Sequence, residues 1–443
     1  MAGEKTCGLA LVGCGTVGSA VAQRLVGDKQ LLLRKTGLAL DLKYIVDVDF
    51  SNARRLALNE TLFQSDLSVV LADPEIDIVI ELIGGTTVAR EVTERILDAG
   101  KHVVTANKAL MAHHGAQLLA RARQKGAAVS FEASCAGGIP IVRALSDGLI
   151  ANRIDALYGI VNGTCNYILT QMIHKGESYE QALVGAQADG LAEADPTLDV
   201  SGLDSAHKLA ILSSLAFAQR IDLDLIPVQG IDTLKVLDVS FGLELGYVVK
   251  LLAVARRMKE GLSLRVRPVF ITREHPLAWV SGPFNAVSVY GHGIGHTMYY
   301  GRGAGGSPTA SAVLADVISV ALGATNARFA TLGIWSDRAK PAVQLPIDSI
   351  QSRYYLRVVV VDKPGVMAGL ARILGDHSIS ISSVLQKEPP ESQQETKAVP
   401  VVITTHTATE QNVANALKEI DTLATVTEKS VCISILEEHE EAV

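Results

Sequence analysis

Carboxylates crowd one short stretch of the chain: Glu193, Asp195, Asp199 and Asp204 follow Gly190, and Lys208 comes four residues after the last of them. Residues four apart share a helix face, so Asp204 and Lys208 are placed to interact directly. On a solvated helix such a pair is a routine and weak salt bridge. Here the pattern runs on as LAILSSLAFA (Leu209 to Ala218), nearly apolar all round. That predicts a buried helix, where a charged face is costly unless it lines a site. Burial weakens a lysine's hold on its proton, the condition under which it exchanges one with an alcohol, and Asp204 offsets that loss and orients the ammonium.

A second constellation opens the chain. Gly13-Cys14-Gly15-Thr16-Val17-Gly18 follows an apolar run and starts a helical pattern, the setting in which GxGxxG reads as a dinucleotide site. The first glycine permits a tight turn and the second lets pyrophosphate approach the backbone. The third lets helix pack on strand, so that the helix N-terminus receives the phosphate charge. The acidic residue that meets the ribose is Asp47 or Asp49, delayed by the insertion Asp28 to Leu40. A carboxylate there repels a 2′-phosphate and tilts the choice slightly from NADP to NAD, whereas Arg54 and Arg55 are near enough in sequence to serve that phosphate. Glu81-Leu82-Ile83-Gly84-Gly85 ends a strand in glycines, and Lys108 tips another in VVTANK, where ligands of open α/β sheets bind.

These residues need elements to carry them. From Cys7 to about Ser134, short apolar runs alternate with amphipathic ones, the mark of a doubly wound parallel sheet of Rossmann type. The expected dinucleotide domain is 1–137, completed by about 305–340 through the helical run Thr309 to Leu322. A mixed α+β domain for substrate and dimerisation, with a long helix from about Leu203, occupies 138–304. A proline-marked stretch at Pro341 to Pro346 separates a last unit, 350–436. Its order β-α-β-β-α-β is that of a ferredoxin-like sandwich, with Glu388 to Lys397 as the hairpin between its middle strands. Asp362-Lys363-Pro364-Gly365 joins its first strand to its first helix. Asp362 or a neighbour is expected to cap that helix, and Gly365 to let a ligand reach its N–H groups.

The bulk properties exclude several classes. The chain has 443 residues, of which 48% are hydrophobic, and a net charge of −7 without a basic run, which argues against binding nucleic acid. No apolar run reaches the length of a membrane span, and the start lacks the features of a secretory signal. Five scattered cysteines without a CxxC pair point to reduced thiols, hence a cytoplasmic protein. The acidic Glu437 to Glu441 reads as a solvated end. His292 and His296 are four apart in GHGIGH, but the flanks disfavour the helix that would align them as metal ligands.

The stretch AxxxGLAEADPTLDVSGLDxxxK (Ala186 to Lys208), with NGTCNYI (Asn162 to Ile168), TANK and YYGRGAGGSPTASAV (Tyr299 to Val313), resembles the homoserine dehydrogenases over about Leu9 to Leu322. The resemblance implies reversible hydride transfer between NAD(P) and L-homoserine or L-aspartate 4-semialdehyde, in the biosynthesis of threonine, methionine and isoleucine. It makes Lys208 the proton donor or acceptor and sets Lys108 between nicotinamide and substrate. It has Glu193 and Asp204 hold homoserine with Asp199 nearby, a carboxylate being the natural partner of the α-ammonium. It gives Gly303 a backbone contact to the cofactor. The backbone oxygens of Glu132, Cys135, Gly137 and Ile139, in FEASCAGGIP, match a site for Na+ or K+. The last unit resembles an ACT domain, a module that pairs edge to edge and binds amino acids, with L-threonine the first candidate effector and a homodimer or homotetramer the expected assembly; a purely structural dimerisation unit is the alternative. Two rival functions stay open here. A semialdehyde dehydrogenase forming a thioester would need an activated cysteine, and a non-catalytic dinucleotide- and amino-acid-sensing protein would not need Lys208 beside Asp204.

Overall fold

The computed structural model describes residues 5–386 and 398–439, so the Glu388 to Lys397 hairpin and the end of the acidic tail lie outside the described residues. The amino-terminal part holds β1 (Lys5–Val12), β2 (Leu38–Val46), β3 (Phe63–Gln64), β4 (Ile78–Glu81), β5 (His102–Thr105) and β6 (Val129–Ser130). They form one parallel sheet in the order β3-β2-β1-β4-β5-β6. The order reverses between β1 and β4, which opens a crevice beyond their carboxyl ends, where such sheets bind ligands. The insertion after the first helix is itself a helix, Lys29–Thr36, ended by Gly37 at φ +70°.

Helix Gly306–Ala321 returns to this sheet. Its Ala310, Val313, Leu314 and Val317 share an apolar core with Leu9 and Leu11 of β1 and with Val21 and Leu25 of helix Thr16–Gly27. The chain thus covers its first sheet with a segment from well past residue 300.

The remainder supplies β7 (Ile154–Ile160), a short β8 (Gln219–Arg220), β9 (Tyr247–Arg257), β10 (Leu262–Thr272), β11 (Phe284–Gly291), β12 (Gly295–Arg302) and a short β13 (Lys340–Pro341). Then come β14 (Gln351–Val361), β15 (Ile381–Gln386), β16 (Ala398–Thr405), β17 (Ala408–Thr409) and β18 (Val431–Ile435). Helices Gly163–Lys175, Leu203–Phe217 and Val236–Glu244 pack on the central strands of the resulting sheet, which runs β12-β11-β7-β9-β10-β18-β14-β16-β15.

The final unit has the expected β-α-β-β-α-β order, with helices Val366–Asp376 and Glu410–Ile420. It is not the detached bead that the prolines suggest. β18 pairs in parallel with β10, Val269 opposite Ser434 and Phe270 opposite Ile435, so both units share one sheet. The proline-marked stretch is stitched to the same edge: Leu262 N donates to Val343 O and Leu345 N to Leu262 O. Buried charges lock the seam. Arg357 of β14 donates to both oxygens of Asp238, at 2.6 and 3.0 Å, and Tyr355 Oη donates to the same carboxylate at 3.0 Å. Arg267 of β10 meets Glu410 at 2.9 Å, and Tyr354 donates to that carboxylate too.

One capping expectation is corrected. Asp362 is exposed and the N-cap of helix Val366–Asp376 is Gly365 itself, at φ +91°, without a side-chain cap. Pro364 disfavours helical conformation at Lys363 before it, in keeping with a helix that starts only after Gly365. A Cβ at Gly365 would meet nothing within 4 Å, which leaves that helix end open.

Candidate active site

The glycine loop does three different jobs. Gly13 turns at φ +95° against the end of β4, where a Cβ would lie 2.7 Å from Leu82 O. A Cβ at Gly18 would lie 2.0 Å from Gly13 O, so helix Thr16–Gly27 sits directly on the turn. Gly15, between them, faces open space and is exposed with Thr16, which leaves the helix N-terminus approachable by an anion, with Val17 half-buried behind it. Asp47, at the end of β2, accepts from Cys14 N at 2.5 Å and from Val48 N at 2.7 Å. It is therefore Asp47 that lies against the glycine loop, while Asp49 turns to Ser51. Arg54 is paired with Glu60 at 3.0 Å and Arg55 donates to Asn52.

On the far side of the crevice, Glu81 is fully buried at the end of β4. Its carboxylate accepts from Ile83 N at 2.8 Å and from Thr105 Oγ1 at 2.7 Å. Burial pushes this carboxyl above its ordinary value, and those hydrogen bonds pull it back. Thr105 in turn accepts from Asn107 N, and Asn107 spans the loop, donating to Gly85 O at 2.7 Å and capping helix Lys108–Gln124 through Leu110 N. This chain of contacts ties the loop after β4, through Gly85, to the start of helix Lys108–Gln124. Sequence reasoning passed over Glu81 and Asn107; the one available signal was a carboxylate inside an otherwise apolar strand.

The lysines and carboxylates then meet. Asp204 and Lys208 sit in the first turns of helix Leu203–Phe217, 2.7 Å apart, and Lys108 Nζ approaches the other Asp204 oxygen at 3.0 Å. Lys208 also donates to Val161 O at 2.7 Å. Asp204 is buried, which by itself raises a carboxyl, but Lys208, Lys108 and Asn162 hold it well below the usual carboxylate range. Burial pulls the Lys108 ammonium down, yet Asp204 and Asp199 outweigh it and keep it above its ordinary value. Asp199 lies alongside, accepting from Asn162 Nδ2 at 2.7 Å; burial and the neighbouring Asp204 raise its carboxyl. Glu193 stands apart, exposed on the turn before helix Thr197–Val200, with its backbone oxygen accepting from Gln187.

The GRGAGG loop packs between the FEASCAGGIP turn and the dinucleotide turn. A Cβ at Gly303 would lie 2.0 Å from Asn285 Cγ, and Gly303 O itself is 2.5 Å from where a Cβ of Gly137 would be. A Cβ at Gly306 would lie 3.2 Å from Thr16 O, so this loop borders the dinucleotide turn. In FEASCAGGIP, Ala136 and Gly137 turn in left-handed conformation at φ +52° and +55°. Glu132 O accepts from Cys135 N and Ile139 O from Ile141 N, while the Glu132 carboxylate caps Val142 N and Arg143 N. The turn is buried, and burial with the adjacent Asp316 pushes the Glu132 carboxyl up to about 7.

The two cysteines beside the site lack the environment of an activated thiol. Burial pushes the Cys135 thiol up to about 12 and Cys165 well above its usual value, and Cys165 donates its proton to Asp199 O. His292 Nδ1 accepts from Arg153 N and His296 stacks on Tyr290, two separate structural tasks.

Three family models match this chain: homoserine dehydrogenase over residues 140–318, the homoserine dehydrogenase NAD binding domain over 13–132, and the ACT domain over 354–423. A homoserine dehydrogenase of Pseudomonas aeruginosa is 42% identical over 432 residues, 96% of this chain and 98% of that protein. The chain belongs to the homoserine dehydrogenase family. A homoserine dehydrogenase of Bacillus subtilis is 38% identical over 428 residues, 96% of this chain and 97% of that one. The crystal structure of a homoserine dehydrogenase from Thiobacillus denitrificans superposes with a TM-score of 0.91 at 41% identity, covering 98% of this chain and 99% of that one.

As a homoserine dehydrogenase the chain is an NAD(P)-dependent oxidoreductase of amino-acid biosynthesis, with an ACT domain of the kind that binds regulatory amino acids. The sensing protein without catalysis is not favoured by this membership, nor by a Lys108–Asp204–Lys208 cluster that no sensor needs. Among the described residues no single helix is long and apolar enough to cross a membrane. The pair Gly306–Ala321 and Ala324–Thr331, bent by 77°, has that length and composition when taken together, and its first helix lies in the nucleotide core.

Proposed function

We propose that Lys208 transfers the proton of the homoserine hydroxyl while Lys108 and Asp204 hold it in register, and the observation that carries this is the single buried carboxylate, Asp204, bridging both lysines. Bound NAD(P) supplies the hydride acceptor at C4 of its nicotinamide. Gly13, Gly15, Thr16, Val17 and Gly18 receive its pyrophosphate, Asp47 its adenosine ribose, and Gly84, Lys108 and Gly303 border the nicotinamide end. As semialdehyde is reduced, Lys208 Nζ gives a proton to the forming alkoxide oxygen, and in the oxidative direction it takes that proton back. Asp204 keeps one ammonium on each oxygen, so Lys208 is aimed through this exchange. Among the described residues neither Asp199 nor Glu193 is ion-paired with a lysine, and they receive the α-ammonium of the substrate.

The finer readings follow the same residues. Asp47 against the glycine loop, with Arg54 and Arg55 engaged by Glu60 and Asn52, favours NAD over NADP. The buried turn through Glu132, Cys135, Gly137 and Ile139 suits Na+ or K+ held by backbone oxygens, next to two buried carboxylates that such a charge would steady. The open helix end at Gly365 suits an amino-acid carboxylate, with L-threonine the effector, in a homodimer or homotetramer. We divide the chain at 1–137 with 305–340, 138–304 and 350–436, and five free thiols fit the cytoplasm. Lys208→Ala should leave NAD(P) affinity nearly unchanged and lower turnover about 10²-fold or more, as loss of a proton-transfer group does. Turnover within twofold of wild type would remove Lys208 from the mechanism.

A further inference from the structure

Asn162 is buried between strand β7 and helix Gly163–Lys175, and every polar atom of its side chain is spoken for. Its Oδ1 accepts from Cys165 N at 2.8 Å and caps the helix. Only oxygen can meet that N–H, so the amide orientation is fixed and Nδ2 must point the other way. There it donates to Asp199 Oδ1 at 2.7 Å and to Asp204 Oδ2 at 2.9 Å. The preceding residue, Val161, presents the carbonyl that holds Lys208. Two adjacent residues therefore reach Lys208 and both carboxylates.

We propose that Asn162 is a positioning residue that sets the spacing between the carboxylate that meets the substrate ammonium and the Asp204–Lys208 proton-transfer pair. This rests on the reading of Asp199 given above. Asp204 and Asp199 carry like charges in a buried site, and left alone they separate or one takes up a proton. Asp204 has two ammonium partners. The contacts to Asp199 come from uncharged groups, Asn162 and Thr164. One NH2 donating to both carboxylates keeps Asp199 close to the pair while the two ammonium groups contact Asp204, so the Asp199 carboxylate is left for the substrate. Burial and Asp204 push Asp199 upward, while Asn162, Lys208 and Lys108 pull it down. Cys165, which also packs there, stays a neutral thiol. Removing the amide thus raises the Asp199 carboxyl further, and binding that needs the carboxylate is lost at a higher pH as the pH falls.

The test uses the full chain and two variants. Asn162→Ser keeps a good helix cap, so the fold is retained, but a hydroxyl cannot cap Cys165 N and reach two carboxylates. The expected result is a rise of about tenfold or more in KM for homoserine, with KM for NAD(P) unchanged and the acid limb of kcat/KM moved up by about one pH unit. Asn162→Asp also caps but adds a third carboxylate, and it should raise the homoserine KM further. Asp199→Ala is run in parallel. If it raises the homoserine KM while Asn162→Ser changes neither KM nor the acid limb, Asn162 has no positioning role. If Asp199→Ala leaves that KM unchanged, the reading of Asp199 fails and the proposal falls with it.

Discussion

Arg357→Leu is the most informative single perturbation of the seam between the ACT unit and the rest. The pair is fully desolvated: the side chains of Arg357 and Asp238 are 1% and 0% exposed, and the guanidinium donates to both carboxylate oxygens. Removing one partner leaves Asp238 as a buried charge with only the Tyr355 hydroxyl for company, and breaking such pairs costs about 3–5 kcal/mol. For a cooperative unit of about 200 residues, at about 2–4 °C per kcal/mol, that corresponds to a fall in melting temperature of roughly 6–20 °C. The double variant Asp238→Leu with Arg357→Leu removes both charges and should recover most of the loss, because apolar replacement of a whole buried pair is often neutral. Recovery stays incomplete, since the Tyr355 hydroxyl loses its acceptor. Calorimetry on the two single variants and the double variant reads this directly. A single Arg357→Leu variant within about 1 kcal/mol of wild type, or a double variant less stable than either single one, would refute the reasoning.

Other consequences can be checked with ordinary enzymology. Asp47→Ser removes the carboxylate beside the glycine loop and should raise use of NADP relative to NAD; an unchanged ratio would mean that the ribose is read elsewhere. Threonine titrated into the full-length enzyme should inhibit it, with a change in sedimentation alongside, because an effector acts only by favouring one conformation or assembly. Inertness to threonine and related amino acids would leave the ACT unit a structural role. Deleting everything after Pro346 should abolish that response and keep every catalytic residue. It strips β18 from β10 and β14 from Asp238, uncovering a seam that is buried in the full chain, so the shortened chain should also melt well below wild type.

The parts of the site that could be read from sequence are those where residue type and spacing carry the requirement locally. Gly13, Gly15 and Gly18 answer to backbone geometry within six residues, and Asp204 with Lys208 to one helical turn set in an apolar run. The parts that escaped depend on partners the fold brings from elsewhere. Asn162 enters the sequence reading only as the start of NGTCNYI, and nothing local shows that its side chain reaches Asp199 and Asp204. Glu81 is a strand carboxylate whose meaning comes from Thr105 and the Gly84 loop. The prolines near 341–346 suggested a separate last unit, since a parallel pairing of β18 with β10 leaves no periodic trace in either strand. Asp362 was the natural cap by type, but Pro364 pushes the helix start past it.

Chemical rescue of Lys208→Ala tests the central claim most directly, because it asks whether a free amine can stand in for the missing one. Homoserine-dependent reduction of NAD(P) by this variant would be followed with small primary amines of graded basicity added at constant pH. The expected result is a slow basal rate that rises with amine concentration and depends on amine basicity, with no such response in the wild type. A variant turning over within twofold of wild type, or a slow one in which no amine restores any rate, would contradict proton transfer by Lys208.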